Sequence, residues 1–184
     1  MGKTMLGRFT VLLLVGSSIT YSPVLARTAT RTLQATQANK HVDSPVFKSV
    51  RPLLSKVSIP LRLPSTFPNG KMPIYADVNP DNTGTYSYLI DIGYSKGCDG
   101  GGACRLAEVT GGPVIDMPTI FDYPHGRHIT LHGGVAALYF PYTCGANCGD
   151  AVVVWQDQGV VYTVGLKAGS QREVTALANS ALPN

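Results

Sequence analysis

Between Thr85 and Tyr94 the chain alternates with period two for ten residues. Tyr86, Tyr88, Ile90, Ile92 and Tyr94 fall on one parity, and Thr85, Ser87, Leu89, Asp91 and Gly93 on the other. Successive side chains of a strand point to opposite faces, so this pattern predicts a half-buried antiparallel strand. It commits the chain to a sheet with a core on one side. Cys104–Thr110 is expected to return beside it, with Gly97–Cys104 as the hairpin tip. Val135–Phe140 and Ala151–Trp155 are apolar on both parities, which predicts central strands covered on both faces or sealed by a helix. Gln156–Gly159 is a hairpin turn, and Val160–Leu166 completes the pair. Ser170-Gln-Arg-Glu173 reads as a capping box, followed by Val174, Leu177, Ala178 and Ala181 on the apolar face of a terminal helix. Nearer the N-terminus, Val46, Phe47, Val50, Leu53 and Leu54 predict a short helix within Ser44–Val57 that Pro52 bends or ends. Ile59–Pro64, flanked by prolines, suits an edge strand, and Gly111–Arg127 is mainly loop. The expected class is α+β: a curved antiparallel sheet, a C-terminal helix packed on it, and disulfide-braced loops.

The first 26 residues bear on the compartment. Lys3 and Arg8 precede an apolar run, Phe9–Ile19, and Val24-Leu25-Ala26 follows. This reads as a secretory signal peptide, too short and wrongly flanked for a stable membrane span. The expected organisation is a signal peptide at 1–26, a flexible tail at 27–43 and a single domain at 44–184. Arg27–His41 holds one large apolar residue, Leu33, too little to offset chain entropy. Its three positive charges without a negative one also allow a role as a tether on acidic polymer. Cleavage after Ala26 leaves 158 residues, enough to bury a core without crosslinks. The chain carries 15 Lys+Arg against 11 Asp+Glu, and loss of Lys3 and Arg8 leaves 13 against 11. A balance this near neutral argues against nucleic acid or an anionic membrane as partner. No second apolar run approaches the roughly 20 residues of a spanning helix, so no integral membrane segment is expected beyond the leader. The localisation that follows is secreted or periplasmic, with no cofactor implied.

That compartment governs the four cysteines, Cys98, Cys104, Cys144 and Cys148. In an oxidising setting an even count reads as disulfides, with three possible connectivities. Chain entropy favours crossed pairing: bridging Cys98 to Cys148 is worth about 4 kcal/mol, a local loop about 2. Geometry and closure rate favour the local pairs, because Gly100–Gly102 and Gly145 permit tight tips and short loops close first. Local pairing is the expectation and crossed pairing the alternative. Neither spacing is the two-residue spacing of a zinc knuckle or a thioredoxin-type redox pair.

Other polar residues offer weaker chemistry. His125, His128 and His132 lie within eight residues, and a strand over His128–His132 would put His128, Thr130 and His132 on one face, where a metal can bind. The competing reading is a wet strand face. Asp77-Val-Asn-Pro-Asp81-Asn opens like a calcium loop, but Asn82 stands where glycine is required and Tyr88 where a bidentate glutamate is required, so a turn is the better reading. Ser95 in Gly93-Tyr-Ser-Lys-Gly97 has the letters of a nucleophile elbow without the following helix. Asp91, Asp99 and Asp122 are available to pair with a histidine. Tyr94, Tyr123, Tyr139, Tyr142 and Trp155 lie near strand ends or loops. Most suit the core or its edge, but several together near the cysteine loops would form a recognition surface.

Val160-Val-Tyr-Thr-Val-Gly-Leu166, a short turn, and a helix bearing Glu173, Leu177, Ala178 and Ser180 resemble the closing hairpin and helix of uncharacterised extracytoplasmic domains of bacterial envelope proteins. The resemblance spans about 25 residues. It implies an α+β fold with a curved antiparallel sheet and transfers no catalytic residue. The function expected from all of this is a non-catalytic binding module for a protein, peptide or envelope ligand. Its surface would be the cysteine loops with Tyr94 and Tyr142. The alternatives are a small hydrolase using Ser95, a metalloprotein using His128 and His132, and a secreted protease inhibitor. The partner and the oligomeric state are not specified by the sequence. The exported protein is expected to begin at Arg27 and to weigh four hydrogens less than its reduced form. An intact mass under denaturing conditions checks both.

Overall fold

A computed structural model describes residues 41–98, 102–113, 126–146 and 148–183. Seven antiparallel strands are described: β1 Tyr75–Val78, β2 Tyr88–Gly93, β3 Arg105–Pro113, β4 Arg127–Thr130, β5 Ala136–Phe140, β6 Asp150–Asp157 and β7 Val160–Lys167. They form one open sheet in the order β1-β2-β3-β7-β6-β5-β4. Two α-helices are described, α1 Arg51–Leu54 and α2 Gln171–Ala181. The sheet and the C-terminal helix match expectation, but the class is mostly β rather than α+β: α2 has 11 residues and α1 only 4.

Strand parity decides the two faces. In register, Ala76, Ile92, Ala107, Leu166 and Ala151 form one row across the sheet, and Ile90, Val109, Val164 and Val153 the next. All belong to the main core, which α2 closes with Val174, Leu177, Ala178 and Ala181 and the N-terminal segment closes with Phe47, Val50, Leu54 and Leu63. Trp155 stacks on Tyr162 within it, ring centroids 5.5 Å apart. The other face carries a smaller cluster, Leu138, Val154 and Val161 with Phe140 and Val152 packed against it. This explains why β5 and β6 read as apolar on both parities.

The local signals explain the elements they predicted. Ser170 Oγ accepts from Glu173 N at 3.3 Å, and Glu173 Oε2 accepts from Ser170 N at 2.9 Å, completing the capping box. The β6–β7 turn places Gln158 and Gly159 at φ 50° and 78°, the left-handed pair of a two-residue hairpin. Tyr88, Ile90 and Ile92 share the core face as their parity requires. The strand is shorter than the alternation, because Gly84 N bonds Ser87 O and Leu89 N bonds Thr83 Oγ1, curling 83–87 into a turn that leaves Tyr86 exposed. Asn79 Oδ1 accepts from Asp81 N and Asn82 N, the polar turn expected there.

Three expectations need correction. Ile59–Pro64 is not an edge strand: Pro60 and Pro64 have no N–H for a ladder. The segment is held instead by side chains of the core face. Tyr162 Oη donates to Pro60 O at 2.9 Å, Arg62 N donates to Tyr88 Oη at 3.1 Å, and Leu63 is fully buried. Its backbone is pinned further by Ser65 N to Ser180 O, and the Arg62 guanidinium pairs with Asp157. The predicted helix over Ser44–Val57 splits at Val50 into a 3-10 turn, Pro45–Ser49, and α1, where Pro52 occupies a first-turn position. The strand over His128–His132 stops at Thr130. Leu131 turns into the core, and Gly133 and Gly134 take positive φ in a tight turn. The residues 1–40, including the predicted signal and most of the tail, lie outside the described residues. His41 Nε2 lies 2.9 Å from Leu63 O, and Asp43 pairs with Arg51. Among the described residues no helix is long and apolar enough to cross a membrane.

Tyr88 lies flat over Gly111, its cross-strand partner. A Cβ at Gly111 would fall 2.5 Å from Tyr88 Cε1, whereas one at Gly112 would meet only Ser87 Cβ at 3.7 Å. Gly111→Ala is therefore expected to displace the ring and its bond to Arg62 and to cost about 1–3 kcal/mol. Gly112→Ala should be nearly neutral. Chemical denaturation of the two variants against the parent checks the contrast.

Candidate functional site

Both disulfides are local, Cys98–Cys104 with Cα atoms 5.9 Å apart and Cys144–Cys148 at 4.0 Å. The first braces the β2–β3 hairpin and the second the β5–β6 connection. Strand direction brings the two to the same end of the sheet, where β3 and β6 begin and β7 ends between them. β7 fastens both. Lys167 Nζ donates to Gly102 O, and Ala168 N donates to Gly149 O at 3.2 Å. The first loop is further held by Tyr94 N to Cys104 O at 2.8 Å and Gly97 N to Asp77 Oδ2 at 3.1 Å.

Beside these loops the open face carries a row of carboxylates. Asp77, Asp91 and Glu108 are successive register partners on β1, β2 and β3. Directly opposite residues of adjacent strands lie about 5 Å apart, so the row concentrates negative charge. Asp91 is 3 % exposed. Arg105 answers part of this charge, reaching Asp150 Oδ1 at 2.8 Å and Glu108 Oε2 at 3.5 Å. Gly165 of β7 makes that reach possible. A Cβ there would fall 2.8 Å from Asp150 Oδ2, so only glycine leaves room for the carboxylate to fold across β7. Burial raises the Glu108 carboxyl above its usual range. Arg105 opposes that rise, while Asp91 and Asp150 add to it. Burial likewise raises Asp150 against Arg105 and Lys167. A cavity of about 120 Å³ opens between Asp77, Asp91, Asn79 and Gly97. Arg105, Glu108 and Asp150 were not singled out from the sequence. Arg105 and Glu108 are polar positions within the predicted Cys104–Thr110 strand and Asp150 directly precedes the predicted Ala151–Trp155 strand, a signal that gains meaning only once the register is known.

The residues expected to carry function are dispersed. Tyr142 is 42 % exposed just past β5, whereas Tyr94 is partly buried against the main core just past β2. Four strand spacings separate β2 from β5, about 19 Å. Tyr139 and Trp155 are core residues. His128 is exposed on edge strand β4, and its register partner is the open-face residue Leu138. His132 lies past the strand in the Gly133-Gly134 turn, its amide donating to Asn179 Oδ1 of α2 at 2.7 Å. The shared strand face is thus absent, because the strand ends between the two histidines. Among the described residues no three His, Cys, Asp or Glu side chains are grouped to hold a metal. Ser95 sits in an exposed turn followed by the cysteine loop rather than a helix. Asp99, Asp122, Tyr123 and His125 lie outside the described residues. A larger cavity, about 430 Å³, occupies the opposite end of the open face, between Asp81, Asn82, Ser87, Thr110, Val161 and Thr163.

Comparison with protein-family models, curated proteins and solved structures finds no match to this chain.

A carboxyl that binds its proton more tightly when folded adds stability when protonated, and that contribution is lost as pH rises through the folded value. For Glu108 the loss begins at about pH 4.5 and extends upward. Glu108→Gln is expected to raise Tm at pH 7, with the advantage shrinking as pH falls towards and below about 4.5. Thermal melts of both proteins across pH 4–8 check the sign.

Proposed function

We propose that this chain is an exported, non-catalytic binding module whose recognition surface is the sheet end bearing the two braced loops. One observation carries the reading: two separate crosslinked loops, from opposite halves of the sheet, are fastened side by side to the end of β7 by Lys167 and Ala168. Rigid loops on a rigid scaffold bind without a large ordering cost. Tyr142, an exposed aromatic flanking the Cys144–Cys148 loop, is the anchor. The sequence features of the leader, the disulfides and the resemblance of the closing hairpin and helix support an extracytoplasmic setting and a protein, peptide or envelope ligand. The near-neutral balance of charge disfavours nucleic acid.

Tyr142→Ala is expected to weaken capture of a specific envelope or secreted partner by tenfold or more, about 1.4 kcal/mol. Tyr86→Ala, at a still more exposed aromatic in the turn before β2 at the far end of the sheet, should bind as the parent does. Affinity capture with quantitative mass spectrometry on the three proteins makes the comparison. Equal binding by all three would remove the loop end as the recognition surface.

A further inference from the structure

We infer that Cys144–Cys148 is a surface thiol–disulfide exchange site, opened by dithiol reductants in the folded protein while Cys98–Cys104 stays closed. The two bridges close loops of similar length, with sequence separations of 6 and 4, and sit at the same end of the sheet. What separates them is their surroundings. Cys98 is 1 % exposed and Cys104 half-buried, so the first bridge has no exposed cysteine. Its Cβ and Sγ press on Gly93 so closely that a Cβ on that glycine would fall 2.5 Å and 2.9 Å from them. The carbonyls of Cys104 and Gly102 are held by Tyr94 N and Lys167 Nζ, so the Gly102–Cys104 side of this loop is held against the sheet. Around the second bridge, Pro141–Ala146 is a continuous run of exposed residues that includes Cys144, while Cys148 is half-buried. Gly145 and Ala146 supply no bulk to shield the sulfurs. Exchange requires a thiolate to approach in line with the S–S bond, so its rate depends on access to one sulfur.

The chemistry balances with a dithiol as co-reactant. A thiolate of the reductant attacks Cys144 Sγ and forms a mixed disulfide as the Cys144–Cys148 bond breaks. The electron pair leaves on Cys148 Sγ, which takes up a proton. The reductant's second thiol then attacks the reductant sulfur of the mixed disulfide and expels Cys144 as a thiolate that is protonated in turn. Two electrons and two protons pass to the protein, and the reductant leaves as its disulfide. The natural co-reactant by class is a dithiol oxidoreductase. The sheet does not need this bridge, because β5 and β6 are already paired through Phe140↔Val152, Tyr139↔Val153, Leu138↔Val154 and Ala137↔Trp155. Opening therefore leaves the β5–β6 ladder in place, and the bonds of Gly149 to Thr143 O and Ala168 N still hold the base of the loop. The inference holds whether or not that loop recognises a partner.

The test is reduction of the native oxidised protein with dithiothreitol, timed quenching with N-ethylmaleimide, and peptide mapping by mass spectrometry. Cys144 and Cys148 are expected to be labelled at least about tenfold faster than Cys98 and Cys104, with near-ultraviolet circular dichroism unchanged through the fast phase. The double variant Cys144→Ser with Cys148→Ser should lose the fast phase and retain the slow one. Labelling of both pairs at one rate, labelling of Cys98 and Cys104 first, or a fast phase that persists in the double variant would each overturn the assignment.

Discussion

The sheet is two halves joined along one seam. β1, β2 and β3 follow one another in sequence and space, as do β4, β5, β6 and β7, and among the described strands the ladders of the two halves join where β3 pairs with β7. That ladder runs over seven register pairs, from Ala107↔Leu166 to Pro113↔Val160, between residues more than 45 positions apart. Closing so long a loop costs chain entropy before any contact repays it, so the seam must be clamped once formed. It is clamped on both faces. On the core side the 60–62 segment hydrogen-bonds to Tyr88 of β2 and Tyr162 of β7, spanning β3 between them. On the open side Arg105 of β3 reaches over β7 to Asp150 of β6.

The open-side clamp ties the fold to the candidate site. It places charged groups in a half-desolvated position, which raises the carboxyls of Glu108 and Asp150. A bridge of this kind adds little as a surface pair and is costly to break when its partners are buried. Its value here is positional. Arg105 begins β3 directly after Cys104, and Asp150 begins β6 two residues after Cys148, so the pair fixes the roots of both crosslinked loops.

Short-range features were legible in the sequence. The period of β2, the two-residue turn between β6 and β7, the Ser170–Glu173 cap and the local disulfides all depend on residues a few positions apart. What escaped was non-local. No sequence signal marked Tyr75–Val78 as the strand beside β2, which hid the carboxylate row, and nothing within β3 says that its second neighbour is β7, which hid the role of Gly165. The Ile59–Pro64 segment read as a strand because its apolar content was correct and its hydrogen-bond partners, two tyrosine hydroxyls, lie 26 and 102 positions away. His128 and His132 looked like neighbours on one face because the left-handed turn at Gly133 and Gly134 was not recognised. Tyr94 and Tyr142 seemed to share a surface because both flank cysteines, before strand order set them four strands apart.

Each crosslink lies within its own half of the sheet, and neither spans the seam. The oxidised chain is therefore still a linear thread. Two rings of a few residues shorten its full extension by only about 25 Å, far less than its hundreds of ångströms of contour. No large covalent ring exists for another segment to pass through. Drawn from its ends, the oxidised chain can come apart along β3 and β7 and straighten almost completely with every sulfur–sulfur bond intact.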